Sequence, residues 1–252
     1  MSAEQFLWSA WTWHPLVLAA CGVTVVAYST MLRQVRRAWL LAVALAVWAL
    51  ALLSPINTLA DGYLFSAHML QHVLLLLIVP PLALLSLPPV QSSAPDRWQV
   101  PSLLGWLGGW AAMWLWHTPA LCNAAGRSAL VRGVQVVSLL LLGVLFWWPI
   151  IGPVRSQRLR PLAGVVYLFS ACLGCTILGI LLTFAPPGVC PVYAQPVDRL
   201  GILSLLRDDW GLTPARDQQL GGLMMWLPPC AIYLGSMLGL LAQWYRGVEV
   251  AR

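Results

Sequence analysis

Long apolar runs, separated by short polar or turn-forming stretches, dominate the chain. A membrane-crossing helix needs about 20 mostly apolar residues, so these runs predict seven transmembrane helices. The predicted spans are about 15–32, 39–53, 64–87, 103–121, 131–151, 161–185 and 219–245. The longest connection, 186–217, is rich in Pro, Gly and Asp, and connections of that length are usually functional or flexible. The pattern predicts an all-α, polytopic membrane protein with a single domain over residues 1–252.

Composition excludes the other broad classes. The chain is 60% hydrophobic and 9% charged, whereas soluble domains carry about 25% charged residues. Disorder requires low hydrophobicity and high charge, which this chain does not have. A membrane β-barrel would alternate polar and apolar residues, and runs such as Val73–Leu87 do not alternate.

The charged residues predict the orientation. All 14 basic residues are Arg, and cytoplasmic loops of membrane proteins accumulate Lys and Arg. The predicted cytoplasmic side carries Arg33, Arg36, Arg37, Arg97, Arg155, Arg158, Arg160, Arg246 and Arg252, against Asp96 and Glu249. The opposite side holds five Arg and six acidic residues. We therefore expect the N-terminus outside and the C-terminus in the cytoplasm. Because topology accounts for the Arg residues, no nucleic-acid partner is predicted.

Candidate chemistry centres on histidines in the third predicted span. His68 and His72 are four residues apart, which stacks both rings on one helix face. At 1.5 Å per residue they lie roughly 6 and 12 Å below the outer end of that span. This geometry can offer two imidazoles to a metal, although the spacing also arises by chance.

Other potential ligands fall in the same outer layer. His117 lies roughly 6 Å from the outer end of the fourth span, and Asp217 lies at the mouth of the seventh. Met224 and Met225 lie roughly 8–9 Å inside the seventh span. Imidazole suits copper and zinc, and thioether selects Cu(I). The layer therefore indicates a copper site; interhelical hydrogen bonding or a proton path are the alternatives.

Proline pairs and cysteines add further candidates. Pro80-Pro81 and Pro228-Pro229 lie inside predicted spans and should free carbonyls one turn earlier, beside the proposed layer. Cys172 and Cys175 form a Cys-x-x-Cys pair that is either ordinary packing or a secondary metal or redox site. Two further thiols, Cys122 and Cys190, are predicted on the outer side, where they could form a disulfide.

Motifs of common enzyme classes are not found. The sequence contains no GxxxxGK[ST] phosphate loop, no GxSxG elbow and no HExxH. Acidic residues are too few and too superficial for paired-carboxylate catalysis. The sequence therefore predicts a protein that is not an enzyme.

Several blocks together resemble the CtaG-type assembly factors of caa(3)-type cytochrome c oxidase. The central block is His-Met-Leu-Gln-His at 68–72, followed by Pro-Pro-Leu at 80–82. Trp-His-Thr-Pro at 116–119 and Phe-Trp-Trp-Pro at 146–149 follow in order, then residues 179–185 with a downstream Tyr. Asp-Gln-Gln at 217–219, with a Gly, a Met and a Trp just beyond, resembles the entry to the seventh helix. The resemblance covers about residues 13–246.

The resemblance implies a seven-helix protein of the bacterial plasma membrane that helps to mature a haem–copper oxidase through copper supply or insertion. His68, His72, His117, Asp217 and Met225 match its motif positions, whereas Met224 rests on depth alone. The expected partners are oxidase subunits, a periplasmic copper chaperone and membrane lipid. Three alternatives remain at this point: a metal-free scaffold for an oxidase subunit, a transporter of copper or another solute, and a haem protein.

Overall fold

The computed structural model describes residues 3–31, 37–90 and 102–250. Within these ranges the chain is almost entirely helical, and its one pairing of extended segments is an isolated bridge between Val90 and Val154. The helices are α1 (Ala3–Ser9), α2 (Pro15–Met31), α3 (Ala38–Leu53), α4 (Pro55–Ala60), α5 (Phe65–Val73), α6 (Val79–Ser86), α7 (Ser102–Trp116), α8 (Pro119–Arg127), α9 (Ala129–Ile151), α10 (Pro161–Phe184), α11 (Pro191–Ala194) and α12 (Pro214–Val250). The predicted all-α class is confirmed.

Four stretches are long and apolar enough to cross a membrane. They are Phe65–Ser86, Ala129–Ile151, Pro161–Phe184 and Pro214–Val248. The helices over Pro15–Thr30 and Ala38–Leu53 are apolar but shorter. The chain therefore has the helices of a membrane protein, while the full count of seven spans stays a prediction.

Close contacts give the relative directions of two pairs of helical segments. Gly179 faces Trp226 and Gly164 faces Leu240, so α10 and α12 run antiparallel. Conversely, Gln135 of α9 meets His68 and Gly143 meets Leu76, so α9 runs parallel to the stretch from α5 to α6. This is the order expected for a chain that crosses a membrane repeatedly.

Two helices end at other residues than the predicted spans. The fourth span was expected to reach residue 121, but α7 ends at Trp116 and a separate helix, α8, starts at Pro119. Proline lacks an N–H and disfavours helical geometry in the residue before it, so the chain turns at this point. The seventh helix is longer than 219–245 at both ends, because α12 runs from Pro214 to Val250.

The third predicted span contains a local irregularity. A wider π-helical turn over Leu74–Ile78 joins α5 to α6 immediately before Pro80. Because Pro80 has no N–H, the Leu76 carbonyl loses its usual helical donor. A Cβ on Gly143 of α9 would lie 2.8 Å from that carbonyl oxygen, so glycine permits the close approach of the two segments there.

The long connection 186–217 is tied down at several points. It contains α11 and a π-helical turn at Leu205–Asp209. A disulfide joins Cys190 to Cys122 of α8, which confirms the disulfide that the sequence allowed. Asp198 accepts hydrogen bonds from the backbone of Ile202 and Leu203, which shapes the loop locally.

Basic residues gather at one end of the bundle. Arg37 donates to the carbonyls of Leu85 and Leu87, and the Val90 amide donates to Pro153, next to Arg155 and Arg158. The predicted grouping of these loops is thus present among the described residues, while Arg33, Arg36, Asp96, Arg97 and Arg252 lie outside them. Which end faces the cytoplasm stays a prediction.

Candidate metal centre

Three imidazole rings meet in the interior of the bundle. His68 and His72 project from one face of α5 with ring centroids 4.4 Å apart. The ring of His117 stands nearly perpendicular to that of His72, with centroids 5.0 Å apart. Their exposed fractions are only 1%, 1% and 6%. The structure therefore brings together the three histidines that the sequence placed at one depth, and we call them the histidine cluster.

The break between α7 and α8 positions His117. Its Nδ1 hydrogen-bonds to the Met113 carbonyl, and its Nε2 lies 3.0 Å from the Met69 sulfur. A carbonyl can only accept, so Nδ1 carries the proton and Nε2 of the neutral ring carries a lone pair. Two electron-pair donors, an imidazole nitrogen and a thioether, thus face each other.

Most ring nitrogens of the other two histidines have no partner. Among the described residues, both nitrogens of His72 and Nδ1 of His68 are buried without a hydrogen bond. The remaining nitrogen, His68 Nε2, lies 3.5 Å from the Gln135 side-chain nitrogen. Buried polar atoms are nearly always satisfied, so three unpaired nitrogens in one cluster require a physical explanation such as a bound ion or water.

Asp217 acts on the helix that carries the cluster. Its carboxylate accepts hydrogen bonds from the Phe65 amide (2.7 Å), the Ser66 amide (3.0 Å) and the Ser66 hydroxyl (2.6 Å). The first amides of a helix lack intrahelical partners and attract negative charge. Asp217, predicted as a ligand, therefore caps α5 from α12. It fixes the start of the helix that carries His68 and His72.

The two predicted methionines lie deeper on α12. Met225 is fully buried, and Met224 is partly buried against the core. One turn before Met225, Gly221 packs so closely on α5 that an added Cβ would lie 3.2 Å from the Met69 side chain. This places Met225 on the face of α12 that is directed toward α5.

The Cys-x-x-Cys pair does not form one unit. Cys172 contacts Cys230 across the interface between α10 and α12, with the two sulfurs 3.4 Å apart. Cys175 instead lies 3.9 Å from the Tyr233 hydroxyl, and the Thr176 hydroxyl lies 3.3 Å from the Cys230 sulfur. The thiol nearest to Cys172 is therefore one that sequence spacing did not indicate.

Sequence reasoning missed a polar network beside the cluster. Arg132 forms a salt bridge with Asp61 (2.9 Å) and donates to the side-chain oxygens of Asn57 (3.0 Å) and Gln71 (3.2 Å). Gln71 follows His68 by three residues, so the network connects the outer surface to the helix of the cluster. Arg132 entered the sequence argument only as a loop charge, and the amide of Gln71 lies inside the His-Met-Leu-Gln-His block.

Tyr193 closes the outer side of the cluster. Its ring centroid lies 5.4 Å from that of His68, and its hydroxyl donates to the Ala60 carbonyl at 2.9 Å. Burial raises the pKa of the Tyr193 phenol, so it remains a neutral hydrogen-bond donor. The loop that the disulfide anchors thus covers the histidines.

The cluster is not a preassembled metal site of three such ligands. Within residues 3–31, 37–90 and 102–250, no group of three or more His, Cys, Asp or Glu side chains is arranged to hold a metal ion. The rings are neighbours, but their nitrogens do not converge on one point.

Comparison with known families gives one match. The profile of the cytochrome c oxidase caa3 assembly factor matches residues 20–247. The chain belongs to this family of caa3 oxidase assembly factors. No curated protein and no solved structure matched it. The match includes the histidine cluster, Asp217 and the cysteines of α10 and α12, and it agrees with the apolar helices in indicating a membrane protein.

Proposed function

We propose that this assembly factor holds copper, as cargo for a caa3-type cytochrome c oxidase, at the histidine cluster together with the Met69 thioether. The observation that carries the proposal is the 3.0 Å approach of His117 Nε2 to the Met69 sulfur. Both atoms are electron-pair donors, and a soft cation coordinated by both of them would satisfy both.

The donor types favour Cu(I). Imidazole and thioether are ligands that Cu(I) accepts, and thioether in particular discriminates against harder ions. All these donors are neutral and the surroundings are apolar, so the singly charged ion loses less solvation free energy on burial than Cu(II) would. The buried unpaired nitrogens of His68 and His72 supply further donors.

Binding requires movement of the rings. Because the nitrogens do not converge in the structure, we infer that His68 and His72 reorient when copper enters. Asp217 has a positioning role in this proposal, since both of its oxygens already bind the start of α5. Met225, on the neighbouring face of α12, is a candidate for an additional thioether donor.

The expected setting follows from the charge distribution. With the basic end in the cytoplasm of a bacterium, the cluster lies near the periplasmic face of the plasma membrane. Copper would then arrive from a periplasmic copper chaperone and leave to an oxidase subunit.

The test is copper stoichiometry after anaerobic Cu(I) loading of the purified protein. We expect about one copper per chain in the wild type, and none when His68, His72 and His117 are all replaced by Ala. His14→Ala is the matched control, because His14 is an exposed histidine outside the cluster. Equal copper in the triple variant and the wild type would refute the proposal.

A metal-free scaffold for an oxidase subunit is the second candidate. It is favoured by the lack of a preassembled three-ligand group in the described part of the chain. It predicts that oxidase subunits co-purify equally well with the wild type and the triple variant. Loss of that complex in a folded triple variant would count against it.

A further inference from the structure

A large cleft lies at the end of the bundle away from the histidine cluster. Its volume is about 460 Å³, and its walls come from the stretch before and within α6, from α9 and from α12. The lining is mostly apolar, with Leu82, Leu85, Trp147, Ile151, Ile232 and Leu240 among its members. None of the described lining residues is His, Met or Cys, so the cleft offers no soft metal ligand and no axial ligand for haem.

Two arginines are associated with the cleft. Arg158 lines the cleft directly. Arg37 donates to the carbonyl of Leu85, itself a lining residue, at 3.3 Å. The Nε of Arg158 donates a hydrogen bond to the Gly152 carbonyl at 2.7 Å. The Arg158 side chain therefore lines the cleft, and Arg37 is bound to one of its lining residues.

The positive charge of these two arginines is not neutralised by the described protein. The one salt bridge among the described residues joins Arg132 to Asp61, at the opposite end. Burial lowers the pKa of Arg158, and the positive charges of Arg155 and Arg37 lower it further. An anion beside these arginines would relieve this repulsion.

The length of the cleft along α12 indicates what kind of molecule it can bind. From Ile232 to Gln243 the lining of α12 extends roughly 16 Å along the helix, about half of the ~30 Å hydrocarbon thickness of a bilayer. A partner helix is about 10 Å in diameter and brings no anionic group of its own to the arginines, whereas a phospholipid carries both an acyl chain and a phosphate. An extended acyl chain is narrow enough and spans one leaflet.

We propose that this cleft binds an anionic phospholipid, with an acyl chain along α12 and α6 and the phosphate at Arg37 and Arg158. Basic pockets between transmembrane helices on the cytoplasmic side are suited to anionic headgroups. Arginine binds phosphate through paired, charge-assisted hydrogen bonds. The site is separate from the histidine cluster, so the proposal does not depend on copper binding.

The test measures lipid retained by the full-length protein in detergent, by native mass spectrometry. Phosphatidylglycerol and phosphatidylcholine with identical acyl chains are added in parallel. We expect the wild type to prefer phosphatidylglycerol. In the Arg37→Gln/Arg158→Gln variant this preference should fall roughly fivefold for each arginine replaced. Arg127→Gln, an exposed arginine at the end of α8, is the matched control and should keep the preference.

A second variant tests the acyl part without altering any charge. Gly239 lines the cleft, and a Cβ added there meets nothing within 4 Å, so Gly239→Phe should block the cleft without disturbing the fold. Gly235→Phe, one turn earlier and outside the lining, is its control. We expect only Gly239→Phe to reduce retention of both lipids.

Three results would overturn the proposal. They are equal retention of the two lipids by the wild type, unchanged retention in Gly239→Phe, and displacement of the lipid by inorganic phosphate alone. The last would mean that the arginines bind an anion without the acyl chain.

Discussion

Replacement of His72 by Leu separates a ligand role from a structural one. His72 is 1% exposed, and neither ring nitrogen has a hydrogen-bond partner among the described residues. An unsatisfied buried polar group costs about 1–3 kcal/mol, and apolar replacement removes that penalty. We therefore expect His72→Leu to leave the free energy of unfolding of the copper-free protein unchanged or to raise it by up to about 3 kcal/mol.

Copper should stabilise the wild type more than the His72→Leu variant. A ligand at one hundred times its Kd stabilises the folded state by about 2.7 kcal/mol. The wild type should gain this amount on Cu(I) loading. His72→Leu should gain little, because it lacks the ring between His68 and His117.

Denaturant unfolding in micelles, with and without Cu(I), measures both effects. His14→Leu is the control and should behave as the wild type in each condition. A copper-free His72→Leu protein that is destabilised by more than about 2 kcal/mol would refute the reasoning, since the ring would then make stabilising contacts. Equal stabilisation of both proteins by copper would refute the ligand role.

Three further outcomes follow from individual contacts. Asp217→Asn should lower the free energy of unfolding by roughly 1.5–3 kcal/mol, because the capping of α5 becomes weaker. Copper stoichiometry after Cu(I) loading should stay at the wild-type value. Unchanged stability together with lost copper would instead identify Asp217 as a ligand. Cys122→Ser with Cys190→Ser should lower stability by about 4 kcal/mol, because the bridge closes a loop of 68 residues; an unchanged denaturant midpoint would contradict this. Mild oxidation should cross-link Cys172 to Cys230, detected by peptide mapping, and a Cys172–Cys175 product would contradict the observed packing.

The hydrophobic pattern was sufficient to predict where the membrane helices lie, but not where each of them begins and ends. Every predicted span contains a helix, because apolar length alone determines what can be buried in a bilayer. The early end of α7 at Trp116 was missed, although the Thr118-Pro119 step signals it. The start of α12 at Pro214 was also missed, although Thr213, whose hydroxyl accepts a hydrogen bond from the Arg216 amide, and Pro214 together form a local helix-start signal.

Some site residues could be placed from the sequence, and others only from the packing of the helices. Helical periodicity alone stacks His68 on His72, since they are four residues apart on one helix. Met69 points about 100° away from His68 on that helix, so its approach to His117 became apparent only from the packing of α7 against α5. The capping by Asp217 likewise joins residues more than 150 positions apart.

By itself, the sequence determined the class of protein, the approximate helices, the stacking of His68 on His72 and, through its motif blocks, the family. These properties depend on residues close together in the chain, on composition and on the 1.5 Å rise of a helix. The tertiary structure alone decided which donor atoms meet, that Cys172 faces Cys230, and that Arg158 lines a cleft to which Arg37 is linked through Leu85. Such contacts depend on how the helices rotate and pack, which is set by close approach at positions such as Gly143 and Gly221.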